Sequence, residues 1–154
     1  MSAKSGFTLV ELLVVIAIMA IVGAYALSNY SRFGEDQKLK GAVLDIVSLL
    51  RQAQTNAATN VVCTGGTWQV EFLNTTTINL KCVTTKKTLP LTYGISVSGT
   101  SCPPALPFTV GFVPLTGKVN FISYPNCTLL TITLGSSPNL KSLNIEQGGR
   151  IYAQ

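Results

Sequence analysis

One carboxylate and four thiols are the side chains here whose placement asks for a chemical account. Glu11 is the only formally charged residue between Phe7 and Leu27. As a helix that run is roughly 31 Å long, the thickness of a bilayer's hydrocarbon core. A carboxylate costs about 2.5–3.5 kcal/mol at the centre of such a helix and less near an end. A partner of opposite charge must offset it. The thiols, Cys63, Cys82, Cys102 and Cys127, all follow the run, and none sits in a C-x-x-C pair. That spacing argues against a zinc site. If this part of the chain is exported, an even cysteine count points to two disulfides, with three possible pairings. Cys63–Cys82 with Cys102–Cys127 is favoured, because sequence neighbours meet most readily in an antiparallel domain. Four reduced, buried thiols are the alternative.

Little else in the chain can do chemistry. It has no histidine, so no imidazole-based triad or metal site is available. Glu35, Asp36 and Asp45 are spaced for solvation, and Glu71 and Glu146 stand apart from one another. Neither a P-loop nor a dinucleotide-binding glycine pattern occurs, and Gly65-Gly66 reads as a loop. An enzyme is not expected, nor a cofactor or metal. Charged residues make up 11% of the chain, well below the usual level of about 25%. The apolar run accounts for part of this, and a Thr-, Ser-, Asn- and Gly-rich C-terminal half for the rest. The net charge is +5, but the basic residues are scattered and only Lys86-Lys87 are adjacent. A solvated surface explains this, and weak attraction to nucleic acid or anionic surfaces is the sharper alternative.

The elements that would carry these residues follow from periodicity. Ser28 to Phe33 is polar and aromatic, and Tyr25, Tyr30 and Phe33 suit a membrane interface. Gly34 is expected to bend the helix and Glu35-Asp36 to restart it. Leu39, Ala42, Val43, Ile46, Leu49, Leu50, Ala53 and Ala57 then recur at helical spacing, opposite Lys38, Asp45, Ser48, Gln52 and Thr55. Beyond Asn60 the pattern becomes alternating. Trp68–Phe72 and Thr77–Cys82 read as a hairpin turning at Asn74-Thr75-Thr76. Further strands are predicted at Tyr93–Val97, Phe108–Val113, Lys118–Ser123, Thr128–Leu134, Leu140–Glu146 and Arg150–Ala153. Their breaks are Ser98-Gly99-Thr100, Pro103-Pro104, Pro114–Gly117, Pro125-Asn126 and Gly135–Pro138. The fold class is α+β: a long N-terminal helix, transmembrane then amphipathic, packed on a C-terminal antiparallel β-sheet or sandwich.

Three readings of the N-terminus compete. Lys4 and Ala24-Tyr25-Ala26 fit a secretory signal peptide, but the apolar run is too long for one and carries Glu11. A plain membrane anchor leaves the acid unexplained. Gly6-Phe7-Thr8-Leu9-Val10-Glu11-Leu12-Leu13, after a short basic leader, resembles the type III signal of type IV pilins and type II secretion pseudopilins. The resemblance implies cleavage between Gly6 and Phe7 by a prepilin peptidase, which also methylates the new Phe7 amine. That amine stays positive, and Glu11 of one subunit can pair with Phe7 of its neighbour where the dielectric is low. Phe7 and Glu11 are then assembly residues. The organisation implied is a leader at 1–6, a transmembrane and filament-core helix at 7–27, an amphipathic extension at 28–60 and an exported β-rich head at 61–154. Many members of the family carry Pro where this chain has Ser28 and Gly where it has Ala20.

Three further segments narrow the resemblance. Leu50-Arg51-Gln52-Ala53-Gln54 with Ala57 and Asn60, then Phe112-Val113-Pro114-Leu115-Thr116-Gly117, then Gly148-Gly149-Arg150-Ile151 are similar to segments of GspH/FimT-type proteins. Those are H-type minor pseudopilins and minor pilins. What this implies is a structural subunit, made as a single-pass cytoplasmic (inner) membrane protein with its C-terminal domain outside the cytoplasm. It then enters a pilus or pseudopilus with other subunits, served by an assembly platform protein and an ATPase. An H-type role in protein secretion is one alternative. DNA binding for transformation is another, since some relatives carry a basic G-R-x-R end. Here Tyr152 replaces the second arginine, leaving Arg150, Tyr152, Lys141 and Lys118 as a weak patch, or Arg150 simply as the cap of a last strand.

Overall fold

The structure is a computed structural model that describes Gly6 and residues 8–59, 61, 63–91, 96–100, 102, 105–122, 124, 126–136 and 139–154, with backbone alone for 26–32, 98–100 and 136. One helix, α1, runs Leu9–Ala58. The chain divides into two compact units, Met1–Gln37 and Lys38–Gln154.

In the first unit every described side chain from Leu9 to Tyr25 is exposed. Among the described residues no helix is long and apolar enough to cross a membrane. The crossing expected of 7–27 extends beyond the residues whose side chains the structure describes. The described stretch from Leu9 to Tyr25 is seventeen residues, apolar but for Glu11 and Gly23, about 26 Å of helix, a few Å short of a ~30 Å core. Phe7 lies outside the described residues, and so do the side chains of 26 and 27. The restart expected at Glu35-Asp36 does not occur, since α1 passes through Gly34 without a break. A lone glycine weakens a helix by about 1 kcal/mol but removes no hydrogen bond and causes no clash. The sharper breaker, proline, does not occur between Leu9 and Ala58.

From Lys38 onward α1 belongs to the second unit. Leu39, Val43, Ile46, Leu49, Leu50, Ala53 and Ala57 are buried, together with Val47, and Ala42 packs at their margin. The side chains of Lys38, Asp45, Ser48, Gln52 and Thr55 face outward. Among the described residues nine strands follow: β1 Trp68–Phe72, β2 Thr77–Cys82, β3 Thr84–Pro90, β4 Val97–Thr100, β5 Phe108–Phe112, β6 Val119–Phe121, β7 Leu129–Ser136, β8 Asn139–Glu146 and β9 Ile151–Ala153. They form two sheets, ordered β3-β2-β1-β5-β6 and β4-β7-β8-β9, antiparallel throughout. Val70, Phe72, Ile78, Leu80, Val110 and Phe112 from the first sheet share one core with the α1 stripe and with Leu130, Ile132, Leu134, Leu143 and Ile145 from the second. Each such fully buried side chain contributes about 1.5–3 kcal/mol, which is why the alternation in these strands decides their faces. Phe72 and Phe108, opposite one another in register, stack with ring centroids 4.6 Å apart. The first hairpin turns where expected, with the Asn74 side-chain oxygen accepting from the Thr76 amide at 2.9 Å.

Two elements depart from expectation. β3 was not predicted, because Thr84-Thr85-Lys86-Lys87-Thr88-Leu89-Pro90 lacks apolar alternation; it lies at a sheet edge and is exposed over most of its length. The strand expected at Tyr93–Val97 instead begins at Val97 and runs through Ser98-Gly99-Thr100, residues that read as a break. It pairs with β7 across an irregularity between Val97 and Gly99, and an edge position tolerates such a glycine. Residues 92–95, the first part of the expected strand, lie outside the described residues, as do Pro103, Pro104 and Pro125.

On the outward face of the first sheet a polar row crosses three strands. Thr88 donates to the Asn79 oxygen at 3.0 Å, Asn79 donates to Glu71 at 3.3 Å, and Lys81 pairs with Glu71 at 2.7 Å. Burial is the largest single influence on Glu71 and pushes its carboxyl up; the Lys81 and Asn79 hydrogen bonds and the Lys81 charge together hold it below its ordinary value. A carboxylate lowered in this way stabilises the fold above its unfolded pKa, and that contribution is lost as pH falls through the folded value. Glu71→Gln is expected to cost about 0.5–1 kcal/mol at neutral pH and nothing in strong acid. Denaturant titrations of both proteins across pH check this, and a gap that did not close in acid would contradict it.

Candidate functional site

The N-terminal residues are placed by a helix start. Thr8 precedes α1, and its hydroxyl accepts the Glu11 backbone N–H at 3.3 Å. Its carbonyl accepts the Leu12 amide at 3.2 Å. Thr8 is thus the N-cap and Glu11 the third helical residue, the Thr-x-x-Glu spacing of a capping box. Glu11 lies in the first turn, where the helix dipole favours an anion by about 0.3–1 kcal/mol. The carboxylate that looked out of place in an apolar run therefore sits at the end of the helix that tolerates it best. Thr8 was missed as a functional residue, although Thr-x-x-Glu ahead of an apolar run announces a helix start. Gly6 is exposed, and Phe7 lies outside the described residues. Beyond Glu11 the helix presents Leu12, Leu13, Val14, Val15, Ile16, Ile18, Met19, Ile21 and Val22 to solvent. Chemically, this end offers one carboxylate in the first turn of a helix whose next residues are apolar and exposed.

The candidate nucleic-acid residues do not meet on one surface. Arg150 is exposed, pairs with Glu146 at 3.9 Å and lies over the Tyr152 ring at 5.4 Å. Tyr152 stands opposite Asn144 in register. Lys141 shares the alternation of the core-facing Leu143 and Ile145, so it takes the other face of the sheet. Arg150 precedes the last strand, with its carbonyl accepting the Glu146 amide at 2.9 Å. All four cysteines are bridged, Cys63 to Cys82 and Cys102 to Cys127. Among the described residues no group of His, Cys, Asp and Glu could hold a metal ion.

The three segments distant in sequence do meet. Gln54 Nε2 donates to the Gly117 carbonyl at 3.1 Å and to the Gly149 carbonyl at 2.9 Å. The Leu115 amide donates to the Ala57 carbonyl at 2.9 Å, tying the same turn to the end of α1. Gly117 has φ +63° and Gly149 φ +96°, a region that side-chain-bearing residues rarely enter. A Cβ at Gly149 would come within 2.8 Å of Gln54 Nε2, and one at Gly117 within 3.2 Å of Gln54 Cγ. One amide thus clasps the β5–β6 turn and the β8–β9 turn to the helix.

Comparison with known proteins finds no match among curated proteins and none among solved structures. One family model does match at the site just described: residues 1–27, which include Gly6, Phe7, Thr8 and Glu11, match the prokaryotic N-terminal methylation motif.

Proposed function

We propose that the chain is a structural subunit of a type IV pilus or type II secretion pseudopilus, cut after Gly6 and assembled through its N-terminal helix. The observation that carries this is the methylation motif at the head of an exposed apolar stretch of α1, 9–25, whose one charge is Glu11. Exposed apolar surface on this scale marks a lipid or protein contact. A precursor held in the cytoplasmic membrane and then moved into a filament satisfies both in turn. The expected partners are other subunits, a prepilin peptidase, and an assembly platform protein with its ATPase. Within this class we favour a GspH/FimT-type minor subunit. Support comes from the clasp, where Gln54, Gly117 and Gly149 unite the three segments that resemble that group. A dedicated DNA-binding role gains no support from Arg150, whose neighbours are Glu146 and Tyr152.

The test is intact-mass and N-terminal analysis of protein from its native host. The mature chain should begin at Phe7 and carry one additional methyl group. A chain that began at Met1, or at Leu27 after signal-peptide cleavage, would overturn the proposal.

A further inference from the structure

Among the described residues the two sheets have four edge strands, and one differs from the rest. β4, β6 and β9 have four, three and three residues. β3 has seven, lies at the outer edge of its sheet and is exposed from Thr84 to Thr88. A free strand of that length offers its unpaired N–H and C=O groups to any second strand. Wherever two copies of this chain meet, one such strand is the β3 of the other copy.

We infer that β3 is a guarded edge, built to stop the heads of neighbouring copies from joining strand to strand. Three features support this. Lys87 is the central residue of β3. Full-length antiparallel pairing of two copies would therefore lay Lys87 against Lys87, and like charges directly opposite one another are destabilising. Lys86 is an extra residue in the register: Leu80 pairs with Lys87 and Lys81 with Thr85, leaving Lys86 without an opposite number. This bulge kinks the strand and breaks the even spacing a second strand would need. Pro90 closes the strand and withholds one N–H. Charge, bulge and proline are independent devices, and here they share seven residues. The short edges of β4, β6 and β9 offer too few groups to need them. The role goes beyond the proposed assembly through the helix and does not depend on it.

The test compares the full chain in detergent micelles with Lys86→Val/Lys87→Val and Lys86→Glu/Lys87→Glu, read by amide hydrogen exchange over residues 84–90. Far-UV circular dichroism checks that each variant folds. In the wild type and the glutamate variant, the outward amides of β3 should exchange rapidly and independently of protein concentration. In the valine variant they should slow by about tenfold or more as concentration rises, with a matching gain in mass. A valine variant that exchanges like the wild type at every concentration overturns the inference. So does slowing on mixing the wild type with the glutamate variant to the same extent, because the edge would then be a charge-selective docking strand. Failure of the Phe7 test above would leave this result untouched.

Discussion

Glu11→Ala is expected to leave cleavage between Gly6 and Phe7 intact and to abolish filament assembly. The side chain, not the helix, is what the substitution removes. The capping bond runs from the Glu11 backbone N–H to the Thr8 hydroxyl, so alanine keeps it, and alanine is the best helix former. What disappears is the only anion in the run from Phe7 to Leu27. A Phe7 amine packed among apolar helices would then be buried without a counter-charge. Removing one partner of a buried pair costs about 3–5 kcal/mol, a loss of roughly two to three orders of magnitude in each subunit contact. Sheared filaments should contain none of the variant, while mass analysis of membranes should show it processed and methylated. Filaments at wild-type abundance would show that the charge at Glu11 has no part in assembly.

Gln54→Ala should cost the head about 2–4 kcal/mol, because it deletes two hydrogen bonds and strands two carbonyls that belonged to tight turns. That corresponds to a fall in Tm on the order of 10 °C for a domain of this size. Gln54→Glu separates hydrogen bonding from packing. It has nearly the same shape, but it would set a carboxylate against the Gly117 and Gly149 carbonyls, and should be worse than alanine. Thermal unfolding of the two variants decides the matter; a glutamate variant as stable as the wild type would mean that Gln54 acts only by filling space. Gly149→Ala should fall between them, since it combines a strained φ with a contact of 2.8 Å to the Gln54 amide.

The sequence disclosed those parts of the fold in which apolar residues decide the structure. β1 and β2 begin and end where alternation places them, and the buried stripe of α1 is the one its helical spacing predicts. β3 was invisible because an edge strand is held by backbone pairing and kept soluble by lysine, so its residues carry no burial signal. Gly34 misled for a related reason. A glycine raises the cost of a helix without forbidding it, and the local cost was overruled by what lies on either side. At the candidate site, the methylation motif over residues 1–27 was legible because the order and spacing it requires are chemically demanding. Gln54 was not legible as a clasp. It lies 63 and 95 residues from its two partners, and an amide donor on a helix surface looks like any solvated glutamine. Only the meeting of three separate segments reveals its role.

The unbroken course of α1 through Gly34 also has a mechanical meaning. Tension along the chain would meet a continuous ladder of backbone hydrogen bonds with no proline to interrupt it. Each residue released from that ladder would lengthen the chain from about 1.5 Å to about 3.4 Å, so a filament built on such helices can extend only by melting them. The places expected to yield first are Gly23, Gly34 and Gly41, where helix propensity is weakest and where an added Cβ would meet nothing within 4 Å.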